Sequence, residues 1–214
     1  MFIGVGHGGS DPGATSAGLI EKNINLIMAL ACKSELERHG LTVKLSRTVD
    51  EDDPVVQEVK ECNAFKPDIA IDIHTNAGGG DGFEAFYWPG SKDGMSLAKL
   101  IETEIVALGQ NSRGLKSGKN LMFVNSTNCT AVLVEGFFLD NVKDRTLVDT
   151  VGEQQAFGKA IAKGIFNFFD IPYKQTATKS NKIYRVQVGA FKSKANAEKL
   201  ANELKTKGYD SYVL

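Results

Sequence analysis

Two of the three histidines stand in glycine-rich polar loops, each just past a short apolar run: His7 in GHGGSDPG and His74 in HTNAGGG. Glycines on both sides let the backbone approach an ion or a substrate closely. Glu21 opens the first long amphipathic stretch. Two imidazoles and one carboxylate form a donor set suited to a catalytic Zn²⁺, which keeps a fourth position for water. Glu135 ends the apolar run AVLV. An acid there is costly unless it is paired or does chemistry. Each residue also has a plain reading. Loop histidines can be structural, Glu21 can be a carboxylate favoured at a helix N-terminus, and Glu135 can sit in a structural ion pair. The third histidine, His39 in ERHG, reads as an exposed residue at a helix C-terminus, where the dipole favours it.

The elements that must position these side chains follow from periodicity. Phe2–Gly6, Leu41–Ser46, Asp68–His74, Gly82–Trp88, Leu121–Val124 and Ala131–Glu135 read as strands. Residues 21–39, Pro54–Phe65, Lys92–Leu108 and Glu153–Phe169 read as helices, the first ending at Gly40. Alternating strands and helices predict an α/β fold: a largely parallel twisted sheet with helices on both faces. In such a sheet, ligands bind beyond the carboxyl ends of the strands, which is where His7 and His74 fall.

Further along, the texture changes. Pro172–Lys182 is polar without apolar period and reads as a linker. Ile183–Phe191 and Tyr209–Leu214 read as strands around a helix capped by Ser193, with Ala197, Leu200, Ala201 and Leu204 on one side. The division is therefore residues 1–172, a linker over 173–182, and a small βαβ unit over 183–214. That unit is too small for a dependable core of its own. Charge follows the same division. Residues 1–172 carry 16 Lys+Arg against 23 Asp+Glu, and residues 173–214 carry 9 against 3, a swing from −7 to +6.

Several classes are excluded. The chain of 214 residues is 42% hydrophobic and 24% charged, the balance of a folded globular protein. No apolar run is long enough for a membrane span. The three cysteines fit neither a CxxC metal pattern nor a disulfide framework and read as buried free thiols. Gly4-Val5-Gly6-His7-Gly8-Gly9 spells GxGxxG, but Ser10-Asp11-Pro12-Gly13 follows where a dinucleotide site needs a helix to open. The basic tail has few aromatics and no pattern of a nucleic-acid binder.

Residues 4–14 (GVGHGGSDPGA) with Glu21-Lys22 resemble the opening of the zinc-dependent N-acetylmuramoyl-L-alanine amidases. LTVKLSRTVD, DIAIDIHTNA, GFEAFYW, SRGLK and AVLVEGFFLDNVKD follow in the order and spacing of that family, over about residues 1–170. The resemblance implies peptidoglycan as substrate, His7, Glu21 and His74 as ligands of one Zn²⁺, and Glu135 as the acid–base residue. Asn76 and Arg113 are candidate substrate contacts. Two departures stand out: Val5-Gly6 where the family often has Asp-Pro, and Asp72-Ile73 where it usually has Ser-Ile. Residues 183–214 look like half of a sporulation-related (SPOR) repeat of bacterial wall proteins. Two such halves from two chains predict a homodimer with one composite wall-binding domain. No secretory signal is visible, so the expected setting is synthesis in the cytoplasm and action on the wall after release. That suits a phage endolysin, the setting preferred from this reading, and equally an amidase that lyses a sporulating mother cell. A wall-binding protein without catalysis is the alternative that keeps the fold and drops the chemistry.

Overall fold

The computed structural model describes residues 1–174, 188–207 and 213. They form β1 (Phe2–Val5), β2 (Thr15–Ser16), β3 (Leu19–Ile20), α1 (Glu21–Arg38), β4 (Lys44–Leu45), α2 (Val55–Phe65), β5 (Ile69–Asn76), β6 (Phe83–Tyr87), α3 (Lys92–Val106), β7 (Ser112–Ser117), α4 (Met122–Ser126), β8 (Thr130–Phe138), α5 (Val142–Arg145), α6 (Val151–Phe168) and α7 (Lys194–Thr206). The chain divides into two units, Met1–Lys174 and Gln175–Leu214.

In the first unit six strands form one sheet in the order β4-β1-β5-β8-β6-β7. β4, β1, β5 and β8 run parallel, β6 lies antiparallel to β8, and β7 is parallel to β6. The sheet is thus largely parallel, as the alternation of elements predicts. Its central strands are covered on both faces, which is why DIAIDI and AVLV are almost wholly buried. On one face α6 packs against both α1 and α3. Close approach there rests on two glycines: Gly158 lies against the Met28 backbone of α1, and a Cβ on Gly164 would come within 2.6 Å of Ile101 Cα on α3. A Thr150–Glu153 capping box starts α6. The other face carries a smaller apolar patch under α2 and α4, built on Phe2, Ala70, Phe123 and Ala131.

Three sequence expectations change. Leu121–Val124 is not a strand: Leu121 caps the short helix α4. SRGLK, unassigned from its pattern, forms the edge strand β7. His39 is not exposed, since its ring is enclosed against Phe166 at 4.1 Å and Tyr173 at 5.3 Å. Its Nε2 accepts from the Lys174 N–H at 2.8 Å, so Nδ1 carries the proton and donates to the Glu35 carbonyl at 2.8 Å.

In the second unit, α7 leaves Ala197, Leu200, Ala201 and Leu204 half-covered and its other residues exposed, the stripe that the sequence predicts. Most of the linker and of the two strands expected beside this helix lies outside the described residues, and residues 188–191 lie outside regular structure. No described helix is long and apolar enough to cross a membrane.

Candidate metal centre

The loop after β1 turns sharply at His7, whose φ is +63°. That left-handed conformation is unusual for a residue with a side chain and marks a constrained site. Gly8 and Asp11 close the loop by exchanging backbone hydrogen bonds at 2.9 Å. Asp11 Oδ2 takes His7 Nδ1 at 2.8 Å, which leaves Nε2 free to face Glu21 Oε1 at 3.3 Å. Buried Arg47 fastens the base of the loop, donating to the carbonyls of Val5 at 3.1 Å and Lys22 at 2.7 Å.

Glu21 is the first residue of α1 and is buried. Its Oε2 accepts from Ala14 N–H at 2.8 Å, and its Oε1 from Thr75 N–H at 3.1 Å. Oε1 also lies 3.2 Å from His74 Nδ1. His74 stands near the end of β5, its other nitrogen 3.4 Å from Asp72 Oδ2. The two imidazole rings are edge to face with centroids 5.0 Å apart. One donor atom from each of His7, Glu21 and His74 lies within 4.8 Å of the others. Glu135 on β8 is the register partner of His74 on β5 and of Glu84 on β6. All four chemistry-bearing residues named from the sequence therefore meet at one edge of the sheet.

The charges suit a cation. Burial would raise the Glu21 carboxyl, but both histidines hold it far below the usual carboxylate range. Glu21 raises His7 against the cost of burial, with help from Asp11. Burial also works against charge on His74, yet Asp72, Glu21 and Glu135 hold its pKa well above the ordinary value. Burial, helped by the charges of Glu21, Asp72 and Glu84, pushes Glu135 up to about 7 against the pull of His74. Glu135 Oε2 and Asp72 Oδ1 are enclosed with no hydrogen-bond partner among the described residues. A pocket of carboxylates around two imidazoles, with enclosed oxygens left over, fits a divalent metal bound by two nitrogens and one oxygen.

The two departures from the family pattern lie together here. A Cβ on Gly4 would come within 2.7 Å of Asp72 Oδ1, and one on Gly6 would overlap the His74 ring. These bare backbone positions admit Asp72 and the ring it supports. Gly6→Ala is therefore expected to displace His74 and weaken any binding of a divalent metal here at least roughly tenfold, the scale at which loss of a supporting group is felt. Isothermal titration against the parent chain measures it, and unchanged affinity would refute the close fit.

Asn76 and Arg113 reach Glu84. Asn76 Nδ2 lies 3.4 Å from Glu84 Oε2, and Arg113 Nε and Lys116 Nζ both donate to Oε1. Arg113 also lies over the Phe138 ring at 5.3 Å. Burial would raise Glu84, but Lys116 and Arg113 keep it below its usual value. Arg47 and Glu84 were not singled out from the sequence, and Asp72 entered only as a departure from the family pattern, although an acid in the middle of an apolar strand was a further signal.

The chain matches the N-acetylmuramoyl-L-alanine amidase family over residues 1–167 and the SPOR domain over residues 176–214. A sporulation-specific N-acetylmuramoyl-L-alanine amidase of Bacillus subtilis is 37% identical over 218 residues, covering 100% of this chain and 84% of that protein. An endolysin of Bacillus phage SPP1 is 30% identical over 183 residues, covering 81% of this chain and 67% of its own. Among solved structures, the catalytic domain of CwlV, an N-acetylmuramoyl-L-alanine amidase from Bacillus (Paenibacillus) polymyxa, superposes with a TM-score of 0.74 at 30% identity, covering 80% of this chain and 98% of that one. With the sheet order, the clustered donors and these likenesses in agreement, the chain belongs to the N-acetylmuramoyl-L-alanine amidase family of peptidoglycan hydrolases.

Proposed function

We propose that this chain hydrolyses the amide between N-acetylmuramic acid and L-alanine with one Zn²⁺ held by His7, Glu21 and His74, and with Glu135 moving the protons. The observation that carries this reading is the convergence of those three donors within 4.8 Å beside an enclosed, elevated carboxyl. When bound, the ion supplies Lewis acidity, drawing electrons from the scissile carbonyl and acidifying the attacking water. Glu135 takes a proton from that water and returns it to the departing amine. A pKa near neutrality suits both halves of the exchange. Burial does most to raise that pKa, and Glu84, held charged by Arg113 and Lys116, adds to it from the next strand. Asn76 and the exposed Arg113, both bonded to Glu84, are the proposed contacts to the stem peptide.

End-group analysis of digested wall tests the reaction. New N-terminal alanine without new reducing sugar, abolished by a chelator and restored by Zn²⁺, is the expected result. New reducing ends would overturn it in favour of a glycosidase.

The C-terminal unit is proposed to hold the enzyme on the wall and to pair two chains. Its α7 keeps an apolar stripe only half-covered, which pairing could bury. Light scattering at micromolar concentration is expected to give twice the mass of 23.1 kDa, and a monomer would end the pairing proposal. Both settings named from the sequence have a relative. The sporulation amidase matches the whole chain, C-terminal unit included, which favours mother-cell lysis. The phage endolysin matches 81% of it.

A further inference from the structure

At the opposite edge of the sheet from the metal centre, two thiols meet. Cys62 is buried on the last turn of α2, in the apolar patch with Phe2, Val59 and Phe123. Cys129 packs against the same patch one residue before β8 and is half-buried. The two thiols are near enough for each to shift the other's ionisation, Cys62 upward and Cys129 downward. Their chain neighbours are clamped as well. Asn63 Oδ1 accepts from Asn128 N–H at 2.7 Å, and Asn63 Nδ2 donates to the Ser126 carbonyl at 2.9 Å. Beside Cys129 a surface cavity of about 260 Å³, lined also by Lys66 and Pro67, opens to solvent. Cys32 is buried in the larger core on the other face of the sheet.

We propose that Cys62 and Cys129 form a convertible dithiol that closes to an intramolecular disulfide when the chain meets a small-molecule or protein disulfide, stapling α2 to the start of β8. Cys129 is the attacking sulfur: it borders the cavity, is the less buried of the two, and has its pKa lowered by the neighbouring Cys62. Its thiolate attacks one sulfur of the reagent disulfide, and the displaced thiolate takes up the proton that Cys129 gave. The mixed disulfide on Cys129 is then attacked by Cys62, whose proton leaves with the second reagent thiol. Two cysteines lose two electrons, and one reagent disulfide becomes two thiols. The link joins residues far apart in sequence, so it restricts the unfolded chain strongly. It leaves the metal centre untouched, because β8 carries Cys129 before its first residue and Glu135 in its far half.

The test incubates the full chain with oxidised glutathione. Of three thiols, one is expected to remain under denaturing titration, and the intact mass is expected to fall by two hydrogens. Peptide mapping should join Cys62 to Cys129, and Tm should rise by several degrees until reductant is added. Cys62→Ser should halt with one glutathione retained on Cys129. Cys129→Ser, at the half-buried position, should keep both remaining thiols reduced. Three thiols remaining, a stable glutathione adduct on the parent chain, a link through Cys32, or a Tm no higher than that of the reduced chain would each overturn the proposal.

Discussion

Glu135→Gln is expected to bind zinc as tightly as the parent chain and to hydrolyse wall roughly 10²–10⁴-fold more slowly, the loss that follows removal of a positioned acid–base group. The amide keeps the shape of the carboxyl and loses its proton traffic. The pH profile separates this role from mere packing. In the parent, kcat/KM should rise with pH as Glu135 ionises, since its base form takes the proton from water. Burial and the neighbouring acids put that limb above the usual carboxylate range, at up to about 7. A bound dication beside it pulls the limb back toward lower pH. In the Gln variant the residual rate should lack that limb. A variant with parental turnover, or with the acid limb intact, would remove Glu135 from the mechanism.

His74→Ala should do the opposite and lose the metal. The ring is one of the three proposed donors and sits between Glu21 at 3.2 Å and Asp72 at 3.4 Å. Without it, three carboxylates share one enclosed space. Zinc affinity, read by competition with a chromophoric chelator, should fall by well over the roughly 10–100-fold that loss of a supporting group costs. Activity should vanish and stay low in the presence of moderate added zinc. Circular dichroism should still report the α/β fold, because the strand beneath the ring is held by its apolar residues. Parental zinc affinity in this variant would overturn the assignment.

Much of this site was legible because its chemistry is written in loops and strand ends. His7, Glu21, His74 and Glu135 each break a local pattern, either as a polar residue after an apolar run or as an acid opening a helix. What stayed hidden were residues whose importance is purely spatial. Arg47 looks like an ordinary charge after a strand until the fold buries it against four backbone carbonyls. Glu84 lies in GFEAFYW, which reads only as β-rich, and its meeting with Glu135 depends on β6 reversing direction beside β8. Leu121–Val124 shows the limit of apolar runs, since four residues carry no period that separates a strand from a helical turn. β7 failed for the opposite reason: an edge strand exposed along much of its length has no apolar alternation to betray it. His39 looked solvent-facing because nothing local announces that Tyr173 and Phe166 will close over it.

The position of β8 has one more consequence. It is the last strand of the sheet in sequence, yet it lies in the middle, between β5 and β6. On the proposed mechanism, a growing chain that has passed Asn76 already carries the three proposed metal donors, but the proposed acid–base residue arrives only when Thr130–Phe138 slots between strands made earlier. Long-range pairing of this kind forms late. Lytic power is therefore withheld until translation of the catalytic unit is nearly finished. A fragment from premature termination or a proteolytic cut before Thr130 lacks both Glu135 and the central strand, and is expected to leave the wall around the cell that made it intact.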